Sequence, residues 1–235
     1  MSSCALSVGH YADLLRAATG AGYSFRLFSA PESPGRAFYM RHDVDLDVFA
    51  ARDMARLEAE AGVQATYFLM PTSCYYNLWS VPVREAAQEI ESLGGDVQLH
   101  FDAGPFADLS MEALEEEIAT QARWLGDLLG GKEITAVSFH RPLPAVVGTP
   151  LRRFTSTYAP RYFSEMRYIS DSAGAWRDGC VCGLLGREER IHCLVHPIWW
   201  MAEGTEVPTV LGEFLARNVR VLDGWLRGEI RSYRD

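Results

Sequence analysis

The sequence has no long hydrophobic run, no surplus of positive charge and no low-complexity tract. No stretch approaches the roughly 20 apolar residues that a membrane-spanning helix needs, so no membrane partner is expected. The formal net charge of -9 argues against binding to nucleic acid, which requires clustered Lys and Arg. We therefore expect a small or saccharide-like ligand. The sequence gives no indication of the oligomeric state.

The chain also lacks the marks of a secreted protein. Residues 1–10 have neither a cationic start nor a continuous apolar stretch, so they do not resemble a signal peptide. The five cysteines are an odd number spread along the chain, which fits reduced thiols better than a disulfide framework. Both observations predict a cytoplasmic protein.

One group of cysteine and histidine residues can be considered as a possible zinc site. Cys180 and Cys182 are separated by one residue, and His192 and Cys193 follow nearby. Structural zinc sites usually have two cysteine pairs with two to four residues between the partners, so this spacing does not fit. Buried free cysteines are common and need no function, and we assign none to this group.

The chain has enough material for one large domain: 235 residues, of which 48% are hydrophobic. Short apolar runs alternate with segments of helical period, which predicts an α/β protein with a mainly parallel sheet. Prolines between residues 141 and 160 predict an extended loop there. Helices are predicted at 47–61, from Ser80 to Gly94, and from Ser110 to Gly130; strands are predicted at 37–40, 65–70, 97–99, 135–139, 167–169 and 191–195.

Residues able to bind a metal or move a proton follow the predicted strands. In a parallel barrel the carboxyl ends of the strands converge on one face, where such folds place their active sites. The sequence therefore predicts one shared site. Its candidate residues are Asp43, Asp45, His100, His140, Asp171 and His196.

The two aspartates have complementary uses. Asp43 and Asp45 are two residues apart, so in an extended chain their carboxylates point to the same side. One can bind a metal while the other accepts a proton. Their mutual repulsion requires a bound cation or a nearby arginine. Without the other motifs, an Asp-x-Asp pair is more typical of a turn or a helix cap.

Three histidines at strand ends are more informative than one. His100, His140 and His196, with Asp45, form the nitrogen and oxygen ligand set expected of a catalytic zinc or a similar divalent ion. Such a site keeps an open position for water. The sequence therefore predicts a divalent-metal cofactor, with Zn²⁺ favoured.

The ordered motifs resemble the polysaccharide deacetylase, or NodB-homology, family of carbohydrate esterases, especially outlying intracellular members with a His-Asp-Val-Asp signature. The resemblance implies a distorted (β/α)7 barrel, a single domain over residues 1–235, and metal-dependent removal of an N- or O-acetyl group from a sugar. The matching segments are residues 41–45, 65–68, 99–102, 138–142, 169–172 and 194–197.

The resemblance also implies roles for individual residues. Asp43 is similar to the general base of the family, Asp45 to its metal carboxylate, and His100 to its first metal histidine. Arg141 is similar to the arginine that holds the base. His196 is similar to the histidine that protonates the leaving group.

The sequence departs from the family at one ligand. The family supplies its two metal histidines as His-x-x-x-His, whereas Gly104 stands four residues after His100. His140 is our first candidate for the missing ligand and Asp102 the second. The departure leaves a rearranged hydrolase, a hydrolase of weaker metal affinity, or a protein that binds sugar without chemistry.

Aromatic residues near the predicted site suggest how a substrate is held. Trp199 follows His196, and Trp176 follows Asp171, so both rings fall near the expected mouth. A flat ring stacks on a sugar face, although packing in the core or at the rim explains a tryptophan equally well. We take Asp171, Trp176 and Trp199 as the candidate substrate-binding residues.

These observations lead to one main hypothesis: a metal-dependent hydrolase that removes an acetyl or similar acyl group from a sugar or a glycosylated small molecule. The alternative is a non-catalytic carbohydrate-binding or scaffold protein that retains the barrel. A third possibility is another hydrolytic or isomerising reaction on the same scaffold, because a fold does not determine a function.

Overall fold

A computed structural model describes residues 4–31 and 34–233. The other seven residues of the expected domain 1–235, including the start of the segment 1–10, lie outside the described residues. The described strands are β1 (Ser24–Phe25), β2 (Ala37–Val44), β3 (Thr66–Leu69), β4 (Asp96–Asp102), β5 (Ala136–His140), β6 (Thr155–Ser156), β7 (Arg167–Ser170) and β8 (Arg190–Val195). The described α-helices are α1 (Val8–Gly20), α2 (Val48–Ala61), α3 (Val81–Ser92), α4 (Met111–Leu128), α5 (Pro160–Phe163), α6 (Pro197–Trp200) and α7 (Val207–Glu229).

The strands form one parallel sheet in the order β6-β5-β4-β3-β2-β8-β7, and β1 pairs with the start of β2. Every pairing between described strands is parallel. Among the described residues, β6 and β7 end the sheet and do not pair with each other, so the barrel is open on that side. The structure confirms the predicted α/β class and the distorted barrel of seven parallel strands.

Strand β2 lies near the centre of the sheet, and all eight of its residues are buried. Side chains alternate between the two faces of a strand. Phe38, Met40 and Val44 belong to the core shared with the helices. Tyr39, Arg41 and Asp43 therefore point the other way, into the barrel, which is apolar at one end and charged at the other. The interior apolar cluster consists of Phe28, Ala37, Tyr39, Phe68, Ala136, Ala159, Tyr162 and Met166.

Helix α2 shows why the predicted helices form. The side chain of Asp47 accepts hydrogen bonds from the backbone N–H groups of Phe49 and Ala50, which caps the first turn. Gly62 ends the helix with φ 67°, a conformation that glycine adopts without steric cost. Met54, between these ends, is fully buried, and such burial contributes about 1.5–3 kcal/mol per side chain.

The structure adds elements that the apolar pattern did not predict. Helices α1 and α7 flank the predicted elements, and two-residue strands lie at Ser24–Phe25 and Thr155–Ser156. The predicted loop 141–160 contains a 3₁₀ turn at Pro144–Val146 before β6. Strands this short carry too few residues for a period-2 pattern. Of the helices in the described ranges, none combines the length and apolarity needed to cross a bilayer.

Candidate metal centre

The candidate residues converge at the carboxyl-terminal edge of the sheet. Asp45 directly follows β2, His100 lies near the end of β4, and His140 is the last residue of β5. His196 directly follows β8. Because β2, β4, β5 and β8 are parallel members of one sheet, their ends bring these side chains to the same face.

Three of these side chains form a potential metal site. Oδ1 of Asp45 lies 3.0 Å from Nε2 of His100 and 3.2 Å from Nδ1 of His140. One ligand atom from each residue lies within 4.8 Å of the other two. The structure therefore brings together the three residues that the sequence suggested as ligands. Asp102, the second candidate for the missing ligand, instead accepts a hydrogen bond from the backbone N–H of Gly104.

The donor set fits a divalent metal. Oδ1 of Asp45 and Nε2 of His100 are both buried, face each other, and make no hydrogen bond. Buried polar atoms are normally paired, and an ion bound between these two facing atoms would satisfy both. A carboxylate oxygen and two imidazole nitrogens are ligands that zinc accepts.

A hydrogen bond orients the first histidine. Nδ1 of His100 lies 2.6 Å from the hydroxyl of Ser138, on the neighbouring strand β5. This bond occupies Nδ1 and leaves Nε2 directed at Asp45. Hydrogen bonds of this kind hold the rings of metal-binding histidines in place.

The charges of the three residues are coupled. Burial would raise the pKa of Asp45, but its close contacts with His100 and His140 outweigh it and hold that pKa well below its usual range. The close contact with Asp45 raises the pKa of His140 above its ordinary value, although burial opposes the effect. Asp45 therefore remains ionised, as a metal ligand must be.

Asp43 is held by Arg41 in a buried ion pair. Nε and Nη2 of Arg41 donate to the two carboxylate oxygens of Asp43 at 2.8 and 2.7 Å. Burial would raise the pKa of Asp43, but the charge of Arg41, that of His100 and the two hydrogen bonds lower it. Asp43 is thus an ionised carboxylate beside the ligands, with Oδ2 3.8 Å from Nδ1 of His100.

The expected contact between Arg141 and Asp43 is absent, and the arginine role needs correction. The side chain of Arg141 is 78% exposed, and its nearest acidic partner is Asp102, at 3.8 Å. Arg41 holds Asp43 because the two residues lie on the same side of β2. The i, i+2 spacing of Arg41 and Asp43 is visible in the sequence and could have identified Arg41 as the partner of Asp43.

His196 lies on the other side of Asp45, with its Nε2 3.8 Å from Oδ2. Its Nδ1 is 2.6 Å from Oδ1 of Asp171. Burial would lower the pKa of His196, but the charge and hydrogen bond of Asp171, with smaller effects from Asp45 and Asp43, raise it to about 9. The imidazole of His196 can therefore hold a proton at neutral pH beside the candidate metal site.

Asp171 does not contact the cavity, so its expected role in substrate binding needs correction. The residue is fully buried. Its oxygens accept hydrogen bonds from the backbone N–H of His196 and from the indole N–H of Trp200, the latter at 2.8 Å. With its acceptors used inside the protein, Asp171 positions His196. The sequence did not predict the contact between Asp171 and Trp200, because it joins residues 29 apart.

The cavity above the metal residues has a volume of about 270 Å³. Trp176 and Trp199 do not line it; both are half-buried, and the ring of Trp176 packs edge-on against Trp200. Tyr75, whose side chain is 54% exposed, is the aromatic residue at its wall. Its lining comprises Asp45, Leu46, Met70, Thr72, Ser73, Cys74, Tyr75, Asp102, His140 and Arg141.

Fold and site together define a parallel α/β barrel with a candidate metal centre at the carboxyl edge of its sheet. Several solved structures are similar to the chain at low identity. A Streptococcus pyogenes deacetylase in complex with acetate is 12% identical, with TM-score 0.46, over 81% of this chain and 82% of that one. The Xyl-CE4 domain of a multidomain xylanase from the hindgut metagenome of Trinervitermes trinervoides is 13% identical, with TM-score 0.46, over 79% and 85%. A family 4 carbohydrate esterase from Bacillus anthracis is 12% identical, with TM-score 0.45, over 87% and 86%. Neither a family model nor a curated protein matches the sequence.

Proposed function

We propose that this protein is a metal-dependent hydrolase that removes an acetyl or similar acyl group from a sugar or a sugar-containing small molecule. The observation that carries the proposal is the convergence of three groups with different chemistry. Asp45, His100 and His140 offer ligand atoms, Asp43 offers an ionised carboxylate, and His196 offers a proton.

A divalent ion held by Asp45, His100 and His140 would polarise the acyl carbonyl and lower the pKa of a water molecule. Zn²⁺ is the ion we favour, because these side chains are common zinc ligands. The remaining chemistry belongs to residues of the chain.

Asp43 is the residue we assign as the general base. The paired hydrogen bonds from Arg41 fix the plane of its carboxylate, so a free lone pair can face an attacking water. Arg41 keeps Asp43 ionised and compensates its charge inside the barrel. Arg41 is thus a positioning residue and Asp43 the proton acceptor.

His196 is the residue we assign as the general acid. Asp171 occupies its Nδ1, so the proton available for transfer is on Nε2, the atom that faces Asp45. A leaving amine or alcohol needs a proton as the bond to the acyl carbon breaks. Because its pKa is raised, His196 is protonated at neutral pH and can donate that proton.

The sugar part of the proposal rests on the order of motifs along the sequence and on the wall of the cavity. Tyr75 presents a partly exposed ring beside Asp45. Aromatic rings offer an apolar face and a polar edge, which suits the face of a sugar ring. Arg141 and Asp102 at the same wall can form hydrogen bonds with hydroxyl groups.

Metal content is the first test. Elemental mass spectrometry should detect metal in the purified wild-type protein. Each of the variants Asp45→Ala, His100→Ala and His140→Ala should contain about one equivalent less than the wild type. Asp53→Asn is the matched control, because this exposed carboxylate lies on α2 and pairs with Arg52 and Arg56. A wild-type protein that takes up no Asp45-dependent metal would refute the proposal.

Acetate release from acetylated monosaccharides and oligosaccharides is the second test. Asp43→Asn should retain metal and lose activity by about 10²–10⁴-fold, the usual contribution of a general base. Asp53→Asn should retain both. Full metal loading without hydrolysis of any acylated sugar would favour the alternative function.

That alternative is a carbohydrate-binding protein without chemistry. The observation in its favour is Gly104, which stands where the resembled family supplies its second metal histidine. In this case sugars would bind the loaded protein with measurable heat, and Asp43→Asn would leave binding unchanged.

A further inference from the structure

A second cluster of potential metal ligands lies outside the candidate active site. Cys4 precedes α1, and His10 lies in its first turn. Cys180 and Cys182 stand at the beginning of the 3₁₀ helix Val181–Leu184. These two segments are about 170 residues apart in sequence and meet where α1 packs against the chain before β8.

Three of the four potential ligand atoms lie close enough together to surround one metal ion. Nε2 of His10 lies 3.3 Å from Sγ of Cys182 and 3.5 Å from Sγ of Cys180. The ligand atoms of Cys4, His10 and Cys180 lie within 4.8 Å of one another. Tetrahedral zinc, with Zn–S of about 2.3 Å and Zn–N of about 2.0 Å, separates its ligand atoms by about 3.5–3.8 Å.

The tautomer of His10 is set by a carbonyl group. Nδ1 of His10 lies 2.9 Å from the backbone oxygen of Ala5, which can only accept a hydrogen bond. Nδ1 therefore carries the proton, and Nε2 presents its lone pair to the sulfur atoms. Metal-binding histidines are oriented in this way, by a hydrogen bond from the nitrogen that does not bind the metal.

One thiol also has a backbone donor. The N–H of Cys182 points at Sγ of Cys180, 3.4 Å away. This contact holds Sγ of Cys180 in place beside Nε2 of His10.

We propose that Cys4, His10, Cys180 and Cys182 bind a second divalent metal, zinc, in a structural site. Cys4, His10 and Cys180 supply three ligand atoms that lie close together, and Cys182, with Sγ 3.3 Å from Nε2 of His10, supplies the fourth. Three thiolates and one imidazole are a ligand set typical of structural zinc. The sequence pattern pointed to the wrong partners: Nδ1 of His192 bonds to the carbonyl of Tyr162, and Cys193 is buried in β8.

The site has a mechanical consequence for the barrel. The rings of His10 and Tyr11 pack against Trp200 at centroid distances of 5.6 and 5.4 Å. Trp200 in turn donates to Asp171, which holds His196. The second metal therefore anchors the start of the chain against the wall that positions His196.

Cobalt substitution distinguishes this site from the candidate active site. Thiolate ligands give Co²⁺ an intense near-ultraviolet charge-transfer band, whereas Asp45, His100 and His140 contain no sulfur. We expect reduced Asp45→Ala protein to retain one equivalent of Zn²⁺ and, after exchange, to show the Co²⁺ band. The Cys180→Ser/Cys182→Ser double variant should lose both the metal and the band.

Two further variants test whether loss of the metal results from misfolding. Cys4 is exposed, so Cys4→Ser should fold normally, as judged by circular dichroism. It should weaken Zn²⁺ binding at least tenfold, since even residues that only support a ligand contribute about 10–100-fold. Cys74→Ser removes an exposed thiol outside the cluster and should leave the band unchanged.

Three results would overturn the proposal. The first is a folded, reduced Asp45→Ala protein that takes up no Zn²⁺ and shows no thiolate band. The second is a band that survives the double variant or disappears in Cys74→Ser. The third is a disulfide between Cys4 and Cys180 in peptides from protein kept under reducing conditions.

Discussion

Asp171 holds His196 through a 2.6 Å contact between Oδ1 and Nδ1. Asp171 directly follows β7, whereas His196 directly follows β8. The pair thus links the ends of two neighbouring strands. It also determines which nitrogen of His196 faces the candidate metal site.

Replacing Asp171 tests this pairing. Asp171→Asn keeps an acceptor near Nδ1 but removes the negative charge, so the pKa of His196 should fall from about 9 by at least one unit, towards the ordinary value. His196 is protonated only below its pKa. Activity that needs this proton should therefore fall off on the alkaline side of the pH–rate profile, and in the variant this fall should begin at a lower pH than in the wild type. The measurement is an NMR titration of His196 with a pH–rate profile.

The control for this prediction is Asp178→Asn, which removes an exposed carboxylate that faces Arg167. It should leave the titration of His196 unchanged. An unchanged pKa in Asp171→Asn would mean that another charge sets the protonation of His196.

Arg41 and Arg141 should differ sharply when each is replaced by Gln. Arg41→Gln leaves Asp43 as an unpaired buried charge, which costs about 3–5 kcal/mol. Arg141→Gln removes an exposed ion pair, worth about 0–1 kcal/mol. The free energy of unfolding from chemical denaturation checks both. Equal losses in the two variants would contradict the assignment of Arg41 as the partner of Asp43.

Metal binding at Asp45, His100 and His140 should depend on pH. The pKa of His140 is raised, chiefly by its close contact with Asp45, so an ion that binds there must displace a proton. Affinity should therefore increase as the pH rises from about 6 to about 8. Calorimetry in buffers of different ionisation enthalpy measures the protons released; zero release at about pH 6 would contradict the prediction.

His192 should make the protein sensitive to acid. Burial, with a smaller effect of Arg41, lowers the pKa of His192 to about 3, whereas the unfolded residue titrates near about 6.5. Below that value the unfolded chain binds a proton that the native state does not. Stability is therefore fully present above about pH 6.5 and is lost at up to about 1.4 kcal/mol per pH unit as the pH falls.

The variant His192→Phe isolates this effect. Phe suits the ring contacts of His192 with Phe28 and Tyr168, both at 4.9 Å, but cannot bind a proton. Denaturation at several pH values should show a shallower loss of stability in the variant than in the wild type. Parallel pH profiles would contradict the assignment.

The order of elements and most of the candidate site were predictable from local pattern. The apolar strands, the Asp47 cap and the Gly62 stop are properties of short segments, and strand-end residues must meet in any parallel barrel. The same reasoning predicted that Asp45, His100 and His140 lie near one another, as they do in the structure. Arg41 was also predictable, because it lies on the same side of β2 as Asp43.

By itself, the sequence determined the strand and helix periods and the edge of the sheet at which the polar residues gather, since both follow from spacing along the chain. Only the tertiary structure decided which partners touch. Asp171 turned away from the cavity towards His196 and Trp200, and His10 joined Cys180 and Cys182 across some 170 residues. Such contacts depend on strand register, helix packing and side-chain rotamers, which no local pattern encodes.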